Sequence, residues 1–169
     1  MTQRTRILLA GLALVIVAGS ILGLDALRRA RSSPAAPPLG EPTLAAGAMP
    51  IYADGRLAAG FAPEDLQRLA KVSFVDAEEG KAQEGWLLRD VILLYVQRAS
   101  LPAGSSVEVS SSGRSKSANL TWAEVDEPGN WVLLSLSNRG TLKLVSKLDR
   151  LDTRDEWVQD VDRIEIHRP

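Results

Sequence analysis

The sequence predicts an α+β protein: a mixed or antiparallel β-sheet domain with a few short helices, preceded by one transmembrane helix. Three observations predict it. Residues 7–24 form one uninterrupted apolar stretch. Beyond residue 50, short runs with strand-like alternation outnumber helical ones. Two of those runs flank Ser137-Asn138-Arg139-Gly140, a good hairpin signal.

The N-terminal part divides into three. Residues 1–6 are basic through Arg4 and Arg6. Residues 7–24 read ILLAGLALVIVAGSILGL, with no charge and one hydroxyl. As a helix rising about 1.5 Å per residue, that run spans roughly 27 Å, enough for a slightly thin bilayer. Two readings compete for it, an uncleaved signal anchor and a cleaved signal peptide. The run exceeds the usual length of a signal-peptide core, and residues 32–36 make a poor cleavage site, so we take the signal anchor. Lipid attachment at a cysteine is excluded, because the chain has none. Arg28, Arg29 and Arg31 balance the basic residues on the other side. Orientation therefore rests on the polar cargo that follows, which favours a single-pass protein with an extracytoplasmic domain. Residues 25–50 form a Pro/Ala-rich linker, stiff and extended around Pro34, Pro37, Pro38 and Pro42.

The soluble domain occupies residues 51–169, preceded by a strand start at residues 49–52 and the turn Ala53-Asp54-Gly55. Residues 63–70 read as a short helix, with Pro63 first and Glu64 and Asp65 in its opening turn. Residues 72–75 alternate like a strand. Residues 86–98 give the clearest helix, with Leu87, Leu88, Val91, Leu94, Tyr95 and Arg98 along one face. Val107 and Val109 share a face of a strand over 105–111. Thr121 and Glu124 have capping-box spacing ahead of a helical turn at 122–125. Strands follow over 131–136 and 141–145, and the section 158–166 closes on the alternating Ile164-Glu165-Ile166.

Charge and composition restrict function. Residues 1–31 carry a net +4 and residues 32–169 a net −5. A mildly acidic domain argues against nucleic acid, which selects a basic surface. Zero cysteines fit either side of a membrane.

Three segments resemble one family. Residues 85–92 (GWLLRDVI) look like the tryptophan-led helix start of the oxidoreductase molybdopterin-binding domain, the sulfite-oxidase catalytic fold. Residues 107–113 (VEVSSSG) sit where that family runs a strand into a turn. Residues 131–145 with 157–166 are similar to its closing section. The resemblance spans nearly the whole soluble domain and implies a sulfite-oxidase-like fold. Two departures bear on chemistry. The family ligates molybdenum with a cysteine thiolate, and serines at 110–112 do not replace a soft ligand. The chain is also shorter, without the N-terminal portion that contributes much of the family's pterin contact.

Other catalytic arrangements fare worse. His167 is the only histidine, which makes a poor metal site and an implausible triad. The carboxylates over 149–160 lack the glycine and order of a calcium loop. Trp86, Trp122, Trp131 and Trp157 each start an element and read as core or hinge packing. No catalytic residue is assigned. A candidate anion-binding loop remains: Ser112, Arg114 and Lys116 on the Ser/Gly-rich turn over 110–117, with Arg139 from the hairpin.

The expectation is a membrane-anchored, extracytoplasmic domain of molybdopterin-binding-like fold, without molybdenum, that binds a ligand or protein partner. The alternative is a degenerate molybdopterin-dependent oxidoreductase or its accessory subunit, retaining cofactor or oxyanion contacts through the loop and working with a redox partner. A small sensor or adhesion module of unrelated α+β fold is a third possibility.

Overall fold

The computed structural model describes residues 43–169. The predicted anchor over 7–24 and most of the predicted linker lie outside the described residues. Among the described residues, no helix is long and apolar enough to cross a membrane.

Two five-stranded sheets dominate, joined by a few short helices. The first contains β1 (Met49–Ala53), β2 (Arg56–Phe61), β5 (Ser106–Ser111), β6 (Lys116–Thr121) and β10 (Arg163–His167), ordered β2-β1-β10-β5-β6. The second contains β3 (Val72–Val75), β4 (Ala82–Leu87), β7 (Leu133–Leu136), β8 (Leu142–Val145) and β9 (Val158–Val161), in chain order across the sheet. Every pairing is antiparallel except β1 with β10.

Local signals explain several elements. Asp54 and Gly55 take left-handed backbone between β1 and β2, as a tight hairpin requires. Gly140 does the same between β7 and β8. Pro63 opens the short helix that the sequence predicts, here a 3-10 helix over Pro63–Arg68. Its Asp65 carboxylate accepts from the Ala62 amide at 2.9 Å. At α2 (Trp122–Asp126) the capping box forms as predicted. The Glu124 amide donates to Thr121 Oγ1 at 3.2 Å, and the Thr121 amide donates to Glu124 Oε2 at 2.7 Å.

The predicted helix over 86–98 is corrected. Only α1 (Leu88–Leu93) is α-helical, and residues 86 and 87 end strand β4. Trp86 pairs with Leu134 and Leu87 with Leu133. Trp86 joins the core shared by the two sheets, whereas Leu87 joins a second cluster with Phe74, Leu133, Val145 and Trp157. A strand that is apolar on both faces loses its period of two, and here the run imitates a helical stripe. Trp131 is likewise no strand residue: it has φ +48° and ends a 3-10 turn over Pro128–Asn130.

The main core draws Ile51, Val107, Val109, Ile164 and Ile166 from the first sheet and Leu134, Leu142, Leu144 and Val158 from the second. The link between β9 and β10 carries the chain from one sheet to the other. At that crossing the Asp162 amide donates to the Ser110 carbonyl at 3.0 Å.

Candidate functional site

The four sequence-nominated residues sit at the end of β5, the start of β6 and the β7–β8 turn. Ser112 and Arg114 lie in a 3-10 turn, Ser112–Arg114, closed by Ser115 at φ +49°. The turn is shorter than the sequence suggests, and Lys116 already belongs to β6.

The fold brings Arg114 and Arg139 together on one carboxylate, that of Asp160. Arg114 Nε donates to Asp160 Oδ2 at 2.8 Å. Arg139 Nη2 donates to Oδ1 at 3.0 Å. The Thr141 hydroxyl donates to Oδ1 at 2.7 Å. Asp160 itself has φ +53° within β9, beside a register irregularity between β8 and β9. A bulge of this kind re-aims a side chain, and here the carboxylate meets both guanidinium groups. The Thr141 hydroxyl and then the Arg114 guanidinium hold the Asp160 carboxyl below the usual aspartate range, with the Arg139 and Arg114 charges assisting and burial opposing.

The remaining two residues have partners of their own. The Ser112 amide donates to Asp162 Oδ2 at 2.8 Å. Lys116 Nζ donates to the Asp155 carbonyl. Sequence reasoning missed Asp160, Asp162 and Thr141 as members of this cluster. The sequence shows only that Asp160 and Asp162 flank Val161; the left-handed backbone at Asp160 interrupts the extended alternation that would relate them.

The chemistry of the cluster is that of a clasp. Two arginines and one aspartate leave a single excess positive charge, and Asp162 stands two residues away. The donors do not suit a molybdopterin. No thiolate exists to ligate a metal, and Ser111 points inward and is 1% exposed.

Two further polar groupings stand apart from the clasp. On the outer face of the second sheet, Gln83 Nε2 donates to buried Asp76 at 2.8 Å, and Lys143 Nζ donates to Gln83 Oε1 at 2.8 Å. Lys143 lies over the Trp157 ring, and burial pushes its ammonium pKa down. Beside α2, a cleft of about 390 Å³ is lined by Leu101, Ala103 and Trp122, with the Arg98–Asp126 ion pair at 2.6 Å. His167 is half exposed, 3.8 Å from Glu165. Among the described residues no group of three or more His, Asp or Glu side chains is disposed to hold a metal ion. Trp86, Trp122 and Trp157 are buried, consistent with packing roles.

No family model matches the chain, and no curated protein matches it.

Proposed function

We propose that the chain is a membrane-anchored, extracytoplasmic binding domain of molybdopterin-binding-like, sulfite-oxidase-type fold that works without molybdenum. The anchor rests on residues 7–24, and the fold assignment rests on the resemblance of residues 85–92, 107–113, 131–145 and 157–166. One observation carries the choice of binding over catalysis: Arg114 and Arg139, the arginines of the candidate anion loop, are both engaged by Asp160. An incoming oxyanion has to displace that carboxylate before it gains either guanidinium. The test is the molybdenum and pterin content of the full chain expressed in cells competent for molybdenum-cofactor synthesis. The expected content is nil. A stoichiometric amount of either overturns the proposal.

A second reading has one observation in its favour. The unbalanced charge where two arginines share one carboxylate leaves residual attraction for an anion. That fits a degenerate oxidoreductase or accessory subunit that still binds an oxyanion through Arg114, Lys116 and Arg139. Calorimetric titration with sulfate and molybdate separates the two. Saturable binding lost in Arg114→Ala and Lys116→Ala supports the second reading, and absence of saturable binding supports the first.

A further inference from the structure

We propose that the outer edge of β3 is a docking strand for an extended segment of a partner protein, one that carries an apolar residue two positions from an acidic one. This deepens the binding-domain reading by naming the surface and the kind of partner.

The argument begins with backbone geometry. The Asp76 amide donates to the Lys81 carbonyl at 2.9 Å, and Phe74 and Val72 stand opposite Gln83 and Gly85. Antiparallel pairing alternates. Phe74 and Val72 therefore direct their N–H and C=O groups at β4, and Ser73 and Val75 direct theirs away from the sheet. Among the described residues nothing bonds to that outer side. Two of the other sheet edges carry a tie of their own. On β6, Arg150 Nη1 donates to the Asn119 carbonyl at 3.0 Å. The residue after β9 is tied to β5 through Asp162 and Ser110. An open edge of this kind is a template for another strand.

Side chains supply the selectivity. Val75 is 61% exposed, the highest value for a large hydrophobic residue among the described residues. Beside the end of β3 a groove of about 290 Å³ opens, lined by Phe74, Val75, Ala77, Ser146, Lys147 and Asp152. An added strand directs alternate side chains into it. Lys147 Nζ stands 5.5 Å from the centres of both the Phe74 and Trp131 rings and pairs with no carboxylate among the described residues. Cation and aromatic floor together suit a strand with an apolar side chain over Phe74 and a carboxylate reaching Lys147. The domain is acidic overall, so a second copy meets like charge and is the poorer occupant.

The experiment selects random ten-residue peptides from a display library against the full chain in detergent. The Ser73→Pro variant serves as the control. Proline there removes an outward N–H while sparing the pairing to β4, a placement that edge strands tolerate. The expected selection is for alternating sequences with one acidic position, bound at least about tenfold more weakly by Ser73→Pro. In Lys147→Gln the acidic preference is expected to vanish. Independently of any variant, bound peptide slows hydrogen exchange at the Ser73 and Val75 amides of the wild-type chain. Peptides that bind Ser73→Pro equally, unchanged exchange at those amides, or no enrichment would each overturn the proposal. So does concentration-dependent dimerisation of the wild type that Ser73→Pro abolishes, because the edge then serves a second copy. These outcomes leave the metal and pterin content untouched, so failure of the docking edge is distinct from failure of the wider reading.

Discussion

Replacing Gly85 with alanine probes the closest backbone approach in the second sheet. A Cβ at Gly85 falls 2.3 Å from the Leu134 carbonyl oxygen, 2.8 Å from its carbon and 2.9 Å from the Ser135 Cα. Ordinary contact starts at 3.4 Å, so β4 and β7 must separate by about 1 Å. All three obstacles are main-chain atoms, and β7 is held on its far side by β8. No flexible side chain can swing away. Overpacking usually costs about 1–3 kcal/mol, and rigid obstacles place this variant near 3 kcal/mol. That is a large share of the roughly 5–15 kcal/mol that holds a domain folded, and corresponds to a fall in Tm of about 10 °C. Gly104→Ala is the matched control: nothing lies within 4 Å of its Cβ. It is expected to stay within about 0.5 kcal/mol of the wild type or gain slightly through a stiffer unfolded chain. The assay is urea unfolding of the full chain, followed by fluorescence of its four tryptophans. If Gly85→Ala unfolds within about 0.5 kcal/mol of the wild type at unchanged m, the inferred clash is wrong.

Three other outcomes are expected. Thr121→Ala removes the acceptor for the Glu124 amide and lowers stability by about 1 kcal/mol in the same urea assay. Asp160→Asn keeps a residue that tolerates left-handed backbone but loses the charge held by Arg114 and Arg139. Because the folded carboxyl titrates below the ordinary value of 3.8, its stabilisation is present above that pH and is lost as pH falls through the lower folded value. Acid unfolding followed by circular dichroism is therefore expected to show a shallower acid limb in Asp160→Asn. Trp157→Ala empties the centre of the second cluster and strands the Leu151 carbonyl, which accepts from Trp157 Nε1 at 3.0 Å. Its expected cost is about 3–5 kcal/mol, measured as a shift in the urea midpoint.

Elements with short-range causes were legible in the sequence. The turn at 137–140, the capping box at Thr121 and the alternation of Val107 with Val109 each act within a few residues, and each element formed. Elements that depend on distant partners were not. Strand β4 reads as helix because Trp86 and Leu87 face different apolar clusters, a distinction that exists only once β7 lies alongside. Strands β2 and β6 carry Ala59 and Ala118 at inward positions, too small to give a hydrophobic period. The same division applies to the candidate site. Arg114 and Arg139 stand out as cations on turns. Their common partner is separated from them by 46 and 21 residues, and no local pattern announces that pairing.

The position of β10 governs the order in which this domain can be completed. It is the last strand of the fold in chain order, yet it lies in the middle of the first sheet, between β1 and β5. The hairpins β1–β2 and β5–β6 share no pairing of their own. Until residues 163–167 leave the ribosome, half of the domain consists of two unconnected ribbons, each too small to persist in water. A nascent chain therefore stays pliable to its final strand and closes in one late step. Long-range closure of this sort is slow, because distant segments must meet before any contact rewards them.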